Sequence, residues 1–175
     1  MTQLIAHIVV DASIARSASD PARHPVTVAC LSFARLLEKK SCSTGAIMTP
    51  ALQDEWRRHA SRMMTSWLVS MEQRGRVRRE KDRVVRDLRV AVKTISNEGI
   101  RVAIEKDLHL SEAAVLHGVP VASLDDRQRR FLKSLSEAYP TAGRIQWLNP
   151  ATDSGWETWL EGGCSDTQSY RTSDA

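Results

Sequence analysis

The sequence predicts an α/β fold: three layers, α/β/α, around a small and mainly parallel sheet, with a basic helical pair added. Three observations lead there. Short apolar runs alternate along the chain with segments of helical period, the pattern of successive strand–helix units. The strand-like runs are apolar throughout rather than alternating, as in strands covered on both faces. Each run also stops at a polar residue: Asp11, Thr49, Asp125 or Asn149.

Leu4–Val10 is rich in β-branched residues and reads as a buried strand ended by Asp11. Asp20 to Pro25 is a loop, because two prolines interrupt it. Val28, Leu31, Ala34 and Leu37 then recur at helical spacing. Ser41–Gly45 is a turn, and Ala46–Met48 is a brief second strand stopped by Thr49-Pro50. From about Ala51 to Gln73 one helix is predicted, with Trp56, Met63, Met64, Trp67, Leu68 and Met71 on a single stripe. That stripe is core rather than a cofactor pocket. Arg74-Gly75-Arg76 breaks it, and a second helix is predicted from about Arg79 to Ser96. Val84, Val85, Leu88, Ala91, Val92 and Ile95 would face inward. The two helices would form an antiparallel pair with arginines outward.

Ile100–Ile104 reads as a short strand or an extended connector. Leu108–His117 is a helix with Asp107 as its N-cap and Gly118 just past its end. Val119–Leu124 is a third strand, followed by Asp125-Asp126 and a basic helix to about Ala138. Arg144–Leu148 is the last strand, closed by Asn149-Pro150. From Ala151 acids dominate. A short helix around Trp156 and Trp159 should dock on the body, with a frayed end from Gly162. The predicted organisation is one domain over 1–150 and an acidic, partly disordered appendage over 151–175.

With 175 residues, 42% apolar and 26% charged, the chain can bury one sizeable core. No stretch approaches the roughly 20 apolar residues of a spanning helix. Met1–Ser19 lacks a basic start, and His7 and Asp11 interrupt its apolar run, so no secretory signal is expected. Cys30, Cys42 and Cys164 lack CxxC spacing, which suggests neither a disulfide framework nor a zinc site and points to a reducing cytoplasm. The net charge is +4, yet Trp56–Lys93 carries 12 Lys/Arg against 4 Asp/Glu, so the remainder is −4. A basic segment beside an acidic cluster suits a polyanion handled with a metal; alone it also fits a solvated helix face.

The cluster is Asp11, Glu55, Asp107 and Asp125. In a parallel sheet, ligands collect beyond the carboxyl ends of the strands. Asp11 and Asp125 end the first and third strands, and Glu55 lies in the first turn after the second. The helix opened by Asp107 must run back antiparallel to the third strand. Its ten residues span ~15 Å and five strand residues ~17 Å, so Asp107 returns to the same edge. Singly, each acid has a plainer use. Asp107 can cap its helix, Asp125 or Asp126 can cap the next, Glu55 can be solvated, and Asp11 can make an Asx-turn with Ser13. Together they repel and raise one another's pKa, which a bound divalent cation resolves. Hard oxygens favour Mg²⁺ or Mn²⁺ over zinc. Arg76, Arg78 and Arg79, with Arg127, Arg129 and Arg130, are the expected phosphate contacts. His109 and His117 are expected on the helix surface.

The chain resembles the PIN-domain family, close to the VapC-like toxin nucleases of bacteria. The residues that carry the resemblance are Val9-Val10-Asp11-Ala12-Ser13, then Met48-Thr49-Pro50 through Glu55-Trp56. The longest stretch runs from Asp107-Leu108-His109-Leu110-Ser111-Glu112-Ala113-Ala114 through Gly118-Val119-Pro120-Val121 to Ser123-Leu124-Asp125. It covers about residues 4–150, and its order and spacing are its specific part. The resemblance implies a PIN-like fold and a metal-dependent endoribonuclease cleaving single-stranded RNA, the toxin of a toxin–antitoxin pair. It implies that Asp11, Asp107 and Asp125 hold one or two Mg²⁺ or Mn²⁺ ions, that Glu55 is the second acid, and that Ser13 supports the site. An antitoxin protein and a homodimer are the partners it implies besides RNA. Three features depart from the pattern: the long basic helical pair, the duplicated acid Asp126, and the acidic tail. The same residues also fit a cleavage-silent nucleic-acid-binding module, a structure-specific DNA nuclease, or a notch that receives a partner's arginine.

Overall fold

The computed structural model describes residues 5–20 and 23–175; Leu4, at the start of the first predicted strand, and Pro21, in the predicted loop, lie outside them. Among the described residues there are five strands: β1 (Ala6–Val10), β2 (Thr44–Met48), β3 (Val77–Arg79), β4 (Val121–Ala122) and β5 (Trp147–Leu148). All pair in parallel, in the order β3-β2-β1-β4-β5. Ten α-helices accompany the sheet, as the predicted three-layer α/β/α class requires. They are α1 (Ala12–Ser17), α2 (Pro25–Glu38), α3 (Pro50–His59), α4 (Arg62–Gln73), α5 (Arg86–Lys93), α6 (Glu98–Lys106), α7 (Leu108–His117), α8 (Asp126–Leu135), α9 (Pro140–Arg144) and α10 (Trp156–Glu161). None is long and apolar enough to cross a membrane.

The core lies around the sheet. Ile8, Val9 and Val10 of β1 and all of β2 are buried, with Phe33 and Leu37 of α2 and Met64 and Met71 of α4 packed among them. Four residues of the predicted Met/Trp stripe are core: Trp56, Met64, Trp67 and Met71, with the Trp56 and Trp67 rings stacked at 6.0 Å. A Cβ on Gly45 would come within 2.5 Å of the Arg76 carbonyl oxygen. Glycine there lets β2 and the approach to β3 run side by side.

The central segment differs from its prediction. The long helix is two, because Ala60 is extended and Ser61 caps α4 through Met64 N. Ser61 also donates its amide to Ala15 O and its hydroxyl to Ala18 O, so the break is fixed by contacts with α1. Gly75 (φ +66°) ends α4 with the two backbone bonds Arg76 N to Met71 O and Gly75 N to Glu72 O, the Schellman arrangement. The chain then adds β3 to the edge of the sheet, and the next helix starts only at Arg86. An edge strand tolerates arginines where a central one would not. Ile100–Ile104, expected to be a short strand or an extended connector, lies within α6, capped by Asn97 Oδ1 on Ile100 N at 3.1 Å.

The acidic tail docks through α10, where Trp156 packs on Phe33 with ring centroids 5.7 Å apart. Beyond Gly162, where the sequence predicts a frayed end, the chain hydrogen-bonds back to the body. Trp147 N bonds to Tyr170 O, Thr172 N bonds to Ile145 O, and Gln146 and Arg171 form an antiparallel bridge. Thr44 Oγ1 donates to Leu160 O at 2.6 Å, tying the tail to β2.

Arg76 is the least expected interior residue. Only 8% exposed, it donates to the carbonyls of Leu37, Cys42 and Thr44 at 3.1, 2.7 and 2.7 Å. Replacing it with methionine would strip the guanidinium donor from three carbonyls, leaving only the weak Cys42 Sγ donor on Thr44 O, each loss costing about 1 kcal/mol. Urea unfolding of Arg76→Met should therefore show a loss of about 3 kcal/mol; a loss below about 1 kcal/mol would mean that water substitutes for the guanidinium.

Candidate functional site

The order of the strands creates the site. The chain builds outward from β1 through β2 to β3, then returns to the other side of β1 with β4 and β5. The loops that leave β1 and β4 therefore part from one another, opening a crevice beyond their carboxyl ends. Val10 pairs with Ala122 and the Asp11 amide donates to Ala122 O at 2.9 Å, so Asp11 and Ser123 are level.

Asp11 is almost buried. Its Oδ2 accepts from Ser13 Oγ at 2.5 Å and from Ser123 Oγ at 2.7 Å. Ser13 Oγ accepts in turn from Leu124 N, and Ser123 Oγ from Asp125 N, both at 3.1 Å. The two hydroxyls thus lock the loops after β1 and β4 together around one carboxylate. Ser13 holds Asp11 from its own loop, and Ser123 does the same from the opposite loop.

Glu55 is carried by α3, which Thr49 caps on Leu52 N and which Trp56 fastens by donating its indole N–H to Val10 O at 2.9 Å. Its carboxylate faces His109 of α7, with Nε2 and Oε2 3.4 Å apart. That contact is long for a hydrogen bond, and Nε2 has no hydrogen-bond partner among the described residues. The imidazole still holds the Glu55 carboxyl below its ordinary range against the effect of burial. For His109 itself, burial lowers the pKa, but Glu55, Asp107 and Asp11 outweigh it and raise the value. At 17% side-chain exposure, His109 is not the surface residue predicted. Its partner is distant in sequence, so no local signal marks it.

Asp107 stands at the junction of α6 and α7. It occupies the N-cap position of α7, yet its side chain makes no capping hydrogen bond, leaving the carboxylate to the cleft. Burial, then the charge of Asp11, pushes its pKa up from 3.8 to about 6; Glu55 and Asp125 add to the rise and Lys106 opposes it. Asp125 caps α8, with Oδ1 accepting from Arg127 N and Gln128 N at 2.9 and 3.0 Å. Asp126 Oδ2 accepts from Asn149 Nδ2 at 3.0 Å, so that acid is anchored to the end of β5.

All four predicted acids, with Ser13 and Asp126, line one open cleft of about 550 Å³. Among the described residues, though, no three His, Cys, Asp or Glu side chains converge into a closed ligand set. The acids share a cleft and one another's field without forming a tight cage.

Most of the predicted phosphate contacts are occupied elsewhere. Arg76 is an interior strut, Arg78 pairs with Glu80 at 3.2 Å, and Arg79 pairs with Glu72 and Gln53. Arg129, 13% exposed, pairs with Asp153 at 3.0 Å. Arg130 is exposed on α8, and Arg127 alone of the six lines the cleft. Arg16, Lys106 and His59 join it there, and sequence reasoning missed all three because each comes singly from a different element. Arg16, Lys106 and Arg127 have no ion-pair partner among the described residues.

Compared with protein-family models and with curated proteins, the chain gives no match.

The strained carboxyl gives a pH signature. Unfolded, Asp107 ionises near 3.8, and folded near 6, so between those values the fold holds the extra proton. Its contribution to stability is complete below about pH 4 and lost as pH rises through 6. Asp107→Asn should match wild type at about pH 4 and exceed it above about pH 6.5, without divalent cations. A rise from 3.8 to about 6 gives at most about 3 kcal/mol, and screening by solvent at this half-buried position reduces the gain to about 2 kcal/mol. Urea titrations across that range check this; parallel curves would show that the carboxylate is not strained.

Proposed function

We propose that this protein is a metal-dependent endoribonuclease acting on single-stranded RNA, of the kind the VapC-like toxins of the PIN-domain family represent. One observation carries the reading: Asp11, Glu55, Asp107 and Asp125, from four separate stretches of chain, line one open cleft at the switch point of a parallel sheet. Cations with no ion-pair partner among the described residues share that cleft. The resemblance over residues 4–150 supplies the family; the toxin role, an antitoxin partner, a homodimer and a cytoplasmic setting belong to the same proposal.

The donor set fits Mg²⁺ or Mn²⁺. Asp107 spends no oxygen on capping and its charge is opposed by three neighbouring acids, an excess that a cation relieves. An open arrangement suits Mg²⁺, which keeps several waters and takes only one or two carboxylates from the protein. Asp11, Asp107 and Asp125 would hold it, with Asp126 beside them on the anchored turn. The bound ion supplies Lewis-acid polarisation of the phosphate and offsets charge that builds in the displacement.

The chain's own residues do the rest. Ser13 and Ser123 keep the Asp11 carboxylate in one orientation. His109 keeps Glu55 ionised and on the cleft side of α3. Arg16, Lys106 and Arg127 would hold the phosphates on either side of the broken bond, giving affinity that falls with salt and little base selectivity.

Asp11→Asn and Asp107→Asn should each abolish cleavage of single-stranded RNA in Mg²⁺ or Mn²⁺, and each should lose the rise in Tm that MnCl₂ gives the wild type. Both variants should keep the native circular dichroism spectrum. Cleavage at the wild-type rate in both would remove the assignment.

A further inference from the structure

Behind the Glu55–His109 pair lies a second pocket, of about 230 Å³. The start of α3, the loop 81–84 and one side of α7 form it. His109 lines this pocket while its partner Glu55 lines the acidic cleft, so the two spaces share a wall. Much of the lining is apolar, including Ala51, Ala113, Val84 and Leu116, the last two 61% and 40% exposed. Such exposure is unusual for residues that line a concavity and offers a face to an apolar surface.

The polar groups divide by whether they are already used. Asp82 accepts from Ala51 N at 2.9 Å. Glu112 accepts from Arg89 at 2.6 and 3.0 Å and from Val85 N at 3.0 Å. The pocket's two acids are therefore spent, and they hold the loop in place. Lys81 and Arg83, on that held loop, are exposed and have no ion-pair partner among the described residues. The His117 imidazole buries an Nε2 that has no hydrogen-bond partner among the described residues, while His109 turns its Nε2 toward Glu55 at 3.4 Å. Buried polar atoms left unpaired cost about 1–3 kcal/mol each, and a ligand edge would recover that.

A flat group with apolar faces, a hydrogen-bonding edge and an attached anion meets all three demands. A nucleotide is such a group. The pocket is smaller than the 300–1,000 Å³ typical of sites for drug-sized ligands, the scale of one base. We propose that this pocket is a base-reading subsite for the nucleotide next to the cleaved bond. The base lies against Val84 and Leu116 with its edge toward the His117 imidazole, and its phosphate is held by Lys81 and Arg83. Imidazole nitrogens can donate or accept according to tautomer, so they can read a base edge. The strand then crosses the Glu55–His109 wall, with Arg16, Lys106 and Arg127 on one side and the loop cations on the other. This rests on the nuclease reading and adds to it a source of sequence preference.

The test is equilibrium binding of fluorescein-labelled 12-nucleotide RNA homopolymers to the full chain carrying Asp107→Asn, which keeps the strand intact. Adding Lys81→Glu with Arg83→Glu should weaken binding at least tenfold and make the log–log salt dependence shallower by about 1.4, two contacts at 0.7 each. Adding Leu116→Trp instead, at an exposed position where the fold has room, should erase the preference among the four homopolymers. An unchanged Kd in the first variant, an unchanged preference in the second, or indifference to base in the parent overturns the subsite and leaves the nuclease reading standing. Failure of the parent to bind any single strand, although removing the Asp107 carboxylate has already cut the metal-free surplus of the cleft from −2 to −1, overturns both.

Discussion

The backbone pairing of β1 with β4 is the constraint on which the rest depends. Two hydrogen bonds at 2.9 Å, Val9 N to Pro120 O and Asp11 N to Ala122 O, join the halves of the sheet at the place where its order reverses. They set the Asp11 and Ser123 loops at one height, and the hydroxyl pair on Asp11 Oδ2 then closes the gap between them. Trp56 hangs α3 from the same strand end through Val10 O. Gln128 Nε2, on α8, reaches Ile104 O just before Asp107 at 3.3 Å. Asp11 and Glu55 are thus referred to the end of β1, Asp125 to the end of β4, and Asp107 to α8, which is how four distant stretches are held to a common position.

What could be read from the sequence is what local chemistry encodes. The helix 108–117 matches its prediction at both ends, because Gly118 (φ +60°) supplies the left-handed residue that ends it. The four acids were legible because strand ends and helix starts are local events, and a parallel sheet maps them to one edge. The break between α3 and α4 was not. Trp56, Met63 and Met64 remain in helical phase across it, and the interruption is written in Ser61's bonds to Ala15 and Ala18, which are tertiary. Residues 98–106 carried a usable signal in Asn97, a good N-cap ahead of Glu98. The apolar Val102-Ala103-Ile104 run masked it. Arg76 sits in an arginine-rich stretch that looks solvated, and only the three carbonyls it meets reveal an interior role.

The same distinction governs charge. The excess of +8 over Trp56–Lys93 suggested a cationic face, yet much of it is absorbed within the fold. Arg57 pairs with Asp54, Arg78 with Glu80, Arg79 with Glu72 and Arg89 with Glu112, while Arg76 points into the interior. A count along the chain measures composition; the field at a site depends on which charges lack a partner and where they stand.

At the cleft that balance can be drawn directly. Five carboxylates line it, Asp11, Glu55, Asp107, Asp125 and Asp126, against three permanent cations, Arg16, Lys106 and Arg127. With every acid ionised, five negative against three positive leaves −2. A phosphodiester approaching that surplus is repelled, and the rise in the Asp107 pKa is the same repulsion felt by the protein itself. One divalent cation brings the sum to zero and leaves the three cations free to attract the strand. On the proposed nuclease reading, metal and polyanion would bind cooperatively, each lowering the electrostatic cost of the other, and strand affinity would depend on the metal even where no bond is cut.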